Sequence, residues 1–367
     1  MIILGKSEKD QVGFMEFFSI IAITVGLKST DMSTVLLFKS GLNAAWMIAI
    51  GSFILIIPSL LLVNSVLKKY QCKTILEVTQ LTLGKPIAFV VAFIMLCLIL
   101  INTATDSRSY ITQLITINFP NTPLFILYLC FLALCMWGAK KGWETVGTIA
   151  CTTLPYLIIA LSFLFFLLFK EAVFNRIFPL FGTGLWEIAK GSFNFIPLFS
   201  EPFTLAVMYP FVKGHQTYTR GLYSSLIFTV FLMVLLYLSY LWIFDYRSIG
   251  KITFPYNEAI RFVTIGRSIT NIETFFITIW LVGVFVKFTV YIYLISRIFG
   301  FLFRIEEFEH TIIPITLLVF VIGLIPENNE TNIFLVRTTT TAYVKYFILC
   351  FPPLLWAAAK VKEARAG

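Results

Sequence analysis

Gly26-Leu27-Lys28-Ser29-Thr30-Asp31 decides the fold, together with its counterpart Pro197-Leu198-Phe199-Ser200-Glu201-Pro202. Each interrupts a long apolar run, the first over about 12–38 and the second over about 181–212. Gly, Pro and charge are what a membrane-spanning helix avoids. Non-helical backbone inside a bilayer persists only where it is buried in protein or lines a cavity. Interrupted segments at corresponding places in two halves of a chain point to a transporter-type binding site. These are the first and sixth of ten apolar runs, so they correspond if each half holds five.

Outward from these two lie the runs at about 43–67, 86–112, 122–138, 144–169, 221–244, 272–300, 311–325 and 340–359. Most approach the ~20 residues that cross ~30 Å of hydrocarbon; the ninth is short and has Pro314 in its first turn. The expected architecture is one all-α integral membrane domain over residues 1–367, with ten transmembrane helices, of which the first and sixth are discontinuous. The composition agrees: 59% of the 367 residues are hydrophobic and only 13% charged, more apolar surface than a soluble domain of this size can hide. The net charge of +9 resides in short loops between the runs, where it orients the chain and meets lipid headgroups; it is no nucleic-acid patch. With the N-terminus cytoplasmic, the inner loops hold more Lys and Arg than the outer ones. An even number of spans then puts both termini on that side. Lys28, Arg337 and Lys345 fall in the outer set.

No nucleophile motif, phosphate loop or metal-ligand spacing is present, so neither enzyme chemistry nor a cofactor is expected. The six Cys, mostly within apolar runs, read as small buried hydrophobes. The N-terminal MIILGKSEKD lacks a signal-peptide layout. Tyr256 to Val263 forms an amphipathic stretch in an outer connection, suited to a lid or to a plain surface helix.

Ionisable groups within spans are functional candidates because burying them is costly. A helix restarting at Ser29 or Thr30 after Gly26 presents free N–H groups and a positive dipole end to a carboxylate. Lys28 and Asp31, three apart, either pair with each other or snorkel to the outer interface. Pro202 disfavours helical backbone at Glu201, whose carboxylate then either binds a ligand ammonium or satisfies the broken backbone. Lys287 lies too deep in the eighth run to snorkel. It acts either as a tethered cation or as one half of an interhelical salt bridge. Asp106 and Arg108 read as interface anchors, with Thr103 and Thr105 slightly deeper.

Further stretches carry a resemblance: Gly41-Leu-Asn-Ala-Ala-Trp46, Phe119-Pro-Asn-Thr-Pro123, Lys141-Gly-Trp-Glu144, Phe254-Pro-Tyr-Asn-Glu-Ala-Ile-Arg261, and Asn271-Ile-Glu-Thr274 followed by Trp280, Val-Phe-Val-Lys287 and Tyr291-Ile-Tyr293. In this order and spacing the chain resembles the B subunit of spore germinant receptors, the endospore germination permease family of the amino acid–polyamine–organocation superfamily. The resemblance implies two inverted five-helix repeats and residence in the inner membrane of the spore. It also implies a complex with A and C subunits, and a small nutrient germinant (amino acid, sugar or nucleoside) as ligand. Together with the residue reading, it puts the ligand site at Gly26, Leu27, Ser29, Thr30, Thr103, Phe199, Ser200, Glu201, Lys287 and Thr289. Two other functions fit such a bundle: a secondary amino-acid transporter of the plasma membrane, and a water or ion conduit or scaffold within a receptor complex.

Overall fold

The computed structural model describes residues 11–262, 272–328 and 331–366. The N-terminal ten residues, Val263 at the end of the amphipathic stretch and Asn271 of the family-like motif lie outside them. Among the described residues the chain is helical throughout, with no strand. One isolated parallel bridge joins Val12 to Val212, where Val12 N donates to Phe211 O at 2.9 Å and Lys213 N to Val12 O at 3.0 Å.

The first apolar run is split, as its sequence requires. Helix α1 (Phe14–Gly26) passes into a single 3-10 turn at Leu27–Thr30, and the chain becomes extended at Asp31 before α2 (Ser33–Gly41) begins. The restart therefore falls three to four residues later than Ser29 or Thr30. Leu42, at a positive φ of 48°, turns the chain into α3 (Ala45–Lys69). A Thr74–Glu77 capping box starts α4 (Ile75–Leu83), and α5 (Lys85–Asn118) follows at once. The next pair is α6 (Leu124–Ala139) and α7 (Trp143–Phe169), turned at Gly142, whose φ of 87° few other residues adopt. The sixth run then holds α8 (Leu185–Asn194), a 3-10 turn at Ile196–Phe199, the short α9 (Glu201–Leu205) and a second 3-10 turn at Ala206–Phe211. This break is longer than expected: no full helix follows it before α10 (His215–Phe244). A connection carrying α11 (Tyr246–Ile249) and α12 (Pro255–Phe262) leads to α13 (Ile272–Phe303), α14 (Ile312–Leu324), a π-helical turn at Thr331–Arg337 and α15 (Thr338–Ala366).

Among the described residues, six helical stretches are long and apolar enough to cross a membrane, and the Leu124–Ala139 and Phe308–Leu324 stretches are shorter and apolar. Large apolar side chains such as Ile159, Phe166, Phe231, Leu317 and Val321 face outward. So broad an apolar exterior suits lipid and marks an integral membrane protein. Of the cysteines only Cys135 is fully buried; Cys72, Cys130 and Cys350 are exposed, contrary to the reading of all six as interior residues.

The broken elements lie at the centre. Helix α1 packs on α7, α10 and α13, and α13 packs on α5 and α6 as well. Close approach elsewhere relies on missing side chains. A Cβ on Gly323 would sit 2.2 Å from the Tyr128 hydroxyl. Tyr128 is fully buried and tied to Ser107 at 2.9 Å, so it has nowhere to move. Gly323→Ala is expected to lower the thermal stability of the purified protein by about 1–3 kcal/mol. An unchanged melting temperature would show that α14 can shift at no cost.

Candidate functional site

The backbone breaks free carbonyls that a continuous helix would pair internally, and side chains from all around take them up. At the first break, Gly26 O accepts from Ser29 Oγ at 2.7 Å and Leu27 O from the Tyr110 hydroxyl at 2.8 Å. Ser29 O accepts from Thr34 Oγ1 at 2.8 Å and from the Tyr240 hydroxyl at 3.3 Å, and Thr30 O from Gln113 Nε2 at 3.5 Å. The start of α2 is served as well: Ser33 N donates to Asp31 Oδ1 at 2.7 Å. The first N–H of the restarted helix, expected to meet a ligand carboxylate, thus already donates to the chain's own carboxylate, and the next three donate to the Asp31 and Met32 carbonyls.

At the sixth break the donor is Lys28. Its Nζ donates to Pro197 O and Leu198 O, both at 3.1 Å, and to Ser200 Oγ at 3.3 Å. It also forms an ion pair with Glu201, 2.6 Å to Oε1 and 2.8 Å to Oε2. Glu201 Oε1 accepts in addition from the Tyr291 hydroxyl at 2.7 Å. Lys28 is only 4% exposed. It neither snorkels to an interface nor pairs with Asp31; instead it fastens the first break to the sixth. The acceptor set of two carbonyls, a hydroxyl and a carboxylate is more than an ammonium with three N–H donors can use at once.

A second group of charges lies beside this pair. Asp31 Oδ2 meets Arg337 Nη2 at 2.7 Å, and the same nitrogen donates to Ser33 Oγ at 2.7 Å. Arg337 Nη2 also stands 3.1 Å from Asp106 Oδ1, while Lys287 Nζ is 3.5 Å from Asp106 Oδ2. Lys287 Nζ donates to the Tyr110 hydroxyl at 3.1 Å and lies 4.6 Å from the Tyr110 ring centre. Asp106 is therefore no interface anchor: it is buried at the junction of α5, α13 and the π-turn. Arg108 is buried too, its Nη1 donating to Gly323 O at 2.7 Å. Lys345, assigned to an outer loop by its sequence neighbours, is buried with its Nζ 2.9 Å from Asn194 Oδ1. Lys28, Lys287 and Arg337 balance Asp31, Asp106 and Glu201, so this six-membered cluster is formally neutral.

Two cavities flank the cluster. One of about 50 Å³ reaches Ser200, Glu201 and Tyr291 from between α5 and α15. The other, about 80 Å³, abuts Gly26, Leu27, Ser29 and Thr30 and lies among α1, α7, α10, α12 and α13. Trp280 lines the second cavity. Its indole N–H donates to Thr30 Oγ1 at 2.9 Å, and its ring stacks on Tyr110 at 5.4 Å and on Tyr256 at 6.4 Å. At the α12 end of the bundle, a wider recess of about 460 Å³ is bounded by Thr112, Phe254, Glu258 and Arg261. Below it Met32 and Phe254 pack together with Leu36 and Ile117, and Gln113 donates to Asn257 of α12.

The ten sequence-derived site residues divide accordingly. Gly26, Leu27, Ser29 and Thr30 border the larger flanking cavity, and Ser200 and Glu201 the smaller. Lys287 stands in the charge cluster between them. Thr103, Phe199 and Thr289 line neither cavity. Thr103 is fully buried on α5, Phe199 packs edge-on against Phe53 at 5.6 Å, and Thr289 meets Gly138 of α6. Sequence reasoning missed Tyr110, Trp280, Tyr291 and Arg337 as parts of this site. Trp280 and Tyr291 stand in the same motif as Lys287, at helical spacings of seven and four residues, which was the available signal.

A helical bundle whose centre is built from two broken helices is a fold found among transporters with discontinuous helices. Solved structures agree. The chain superposes on MhsT, in complex with L-phenylalanine, with a TM-score of 0.65 and 12% identity over 95% of this chain and 96% of that one. On Mhp1, a nucleobase-cation-symport-1 family transporter in a closed conformation with bromovinylhydantoin bound, the TM-score is 0.62 at 13% identity, covering 94% and 82% of the two chains. Residues 12–332 match the family described as "Spore germination protein" (Spore_permease), and the chain belongs to that family. It is 25% identical over 357 residues to spore germination protein GerQB of Bacillus cereus, covering 96% of this chain and 97% of that one. It is 22% identical over 364 residues to GerLB of the same organism, covering 97% and 95%. Spore germination protein A2 of Bacillus subtilis is 22% identical over 358 residues, covering 94% of each. Each of these relatives is named as a spore germination protein.

Proposed function

We propose that this protein is the nutrient-sensing membrane subunit of a spore germinant receptor. A small germinant binds beside the broken helices 1 and 6 and triggers germination through A and C partner subunits. The observation that carries the reading is the tie between the two breaks: Lys28, on the first, holds two backbone carbonyls and a carboxylate of the sixth. A ligand entering the smaller cavity meets Ser200 and Glu201 of that tie, and one entering the larger meets Leu27 and Ser29, the chain neighbours of Lys28. Either shifts the bundle only by as much as it prefers one arrangement of the tie over another.

In this reading the six long helices and two shorter apolar ones among the described residues, with the two broken stretches, serve as ten crossings arranged as two inverted five-helix repeats. The inner membrane of the spore is the proposed location, with both termini cytoplasmic and α12 on the outer face. There the recess above Met32 and Phe254 forms an entry path.

Glu201→Gln keeps the shape of the side chain and removes the charge facing Lys28. Spores carrying it are expected to need at least tenfold more germinant for half-maximal germination; an unchanged dose curve would remove the tie from sensing. Transport of amino acids is the second reading, favoured by the likeness to solved transporters. It predicts concentrative uptake of labelled amino acid into vesicles containing this chain alone. Robust uptake would replace the receptor reading.

A further inference from the structure

A site for an amino acid must offer something to each end of a zwitterion. The broken helices create both seats, and the chain occupies both. The ammonium seat consists of Pro197 O, Leu198 O, Ser200 Oγ and the Glu201 carboxylate, and Lys28 Nζ contacts all four at 3.3 Å or less. The carboxylate seat is the start of the nine-residue α2, where Asp31 Oδ1 accepts from Ser33 N and Oδ2 is held by Arg337. The remaining charges of the cluster, Lys287, Asp106 and Arg337, are already joined in ion pairs, with which a ligand's charged end would have to compete.

The space that remains beside the first break is of another kind. None of the residues lining the cavity of about 80 Å³ is charged. Trp280, Tyr256 and Phe276 give it aromatic walls, and Ser29 and Thr30 place hydroxyls at its edge. Aromatic faces receive flat or ring-shaped groups, and hydroxyls orient them by hydrogen bonds; a full charge brought here loses its water and meets no counter-charge. The Trp280 ring stacks on Tyr110, which donates to Leu27 O and accepts from Lys287, so a molecule against Trp280 touches the cluster through one ring. On its other contact Trp280 stacks on Tyr256 of α12.

We propose that the ligand of this chain is an uncharged ring compound without an ammonium group, seated in this cavity against Trp280 and Tyr256, while Lys28 and Asp31 stand permanently where the charges of an amino acid would go. The proposal deepens the germinant-sensing reading and rests on it.

The full-length protein, reconstituted in lipid nanodiscs, is tested by equilibrium binding with two uncharged ring compounds, inosine and D-glucose, and two zwitterions, L-alanine and L-phenylalanine. At least one uncharged compound is expected to bind tenfold or more tightly than either zwitterion. Ala160→Phe and the milder Ile279→Trp, both of which fill the cavity, are expected to weaken that binding at least tenfold. Lys28→Ala empties the ammonium seat, and n-butylammonium is expected to raise the melting temperature of this variant but not of the parent. Tight binding of L-alanine or L-phenylalanine to the parent protein overturns the proposal while leaving the receptor reading intact. Binding of none of the four, with native mass spectrometry showing a lipid held at this cavity and displaced by Ile279→Trp, overturns both.

Discussion

Lys28→Met is expected to destabilise the protein by about 3–5 kcal/mol, because removing one partner of a buried ion pair leaves the other uncompensated. The loss is compounded here. Glu201 would keep only the Tyr291 hydroxyl, and Leu198 O would lose its side-chain donor. A single neutral hydrogen bond is worth about 1 kcal/mol, so the charge left behind sets the size of the effect. The diagnostic is the double replacement Lys28→Met with Glu201→Gln, which removes the stranded charge. It is expected to recover more than half of the lost stability in a thermal or denaturant titration of the detergent-solubilised protein. Additive losses in the double variant would mean that the two side chains do not act as a pair. Germination is expected to respond in the opposite sense: even the stable double variant should fail to respond normally, since the tie between the breaks is gone.

Arg337→Met is expected to cost more than Lys287→Met. Arg337 lies within 2.7 Å of Asp31 and 3.1 Å of Asp106, while Lys287 reaches Asp106 at 3.5 Å and is partly compensated by the Tyr110 ring. Without Arg337, two buried carboxylates face one cation. Several kcal/mol are then lost, enough to reduce the folded population in membranes many-fold. Adding Asp31→Asn restores the balance of charge and is expected to return part of the protein to the membrane. Measuring accumulation of the three variants side by side checks the order; a larger loss for Lys287→Met would show that the Lys287–Asp106 contact, not Arg337, holds the cluster.

Much of the architecture was legible because its signals are local. Gly26 and Pro197 interrupt apolar runs, and the helix gives way to a 3-10 turn beside each; Glu201, expected to be non-helical before Pro202, instead opens the short α9, where proline is tolerated in the first turn. The restart of the first broken helix was misplaced because Asp31 caps it: its extended backbone and its bond to Ser33 N push the new helix to Ser33. The charges were harder to place. Lys28, within the first run, reads as able to snorkel to the outer interface, and Arg337 stands just before the tenth run, where a charge ordinarily reaches headgroups. Their partners lie 173 and 306 residues away in the chain, a separation that local pattern does not encode. Lys287 was recognised because its depth within an apolar run is itself visible, but its counter-ion was not. Asp106 looked like an anchor for the same reason that Lys28 looked like one. Thr289, two residues from Lys287, turned toward α6 because neighbours at that spacing point to opposite sides of a helix.

The neutrality of the central cluster bears on how this protein responds to a membrane potential. Displacing one elementary charge across the full membrane changes its energy by ~2.3 kcal/mol per 100 mV. Three cations locked to three anions move as a unit without carrying net charge along the field. A rearrangement that moves this cluster with its pairs intact therefore carries none of the cluster's net charge across the field. Any sensitivity to voltage must then come from charges outside this cluster, such as the buried Arg108 and Lys345.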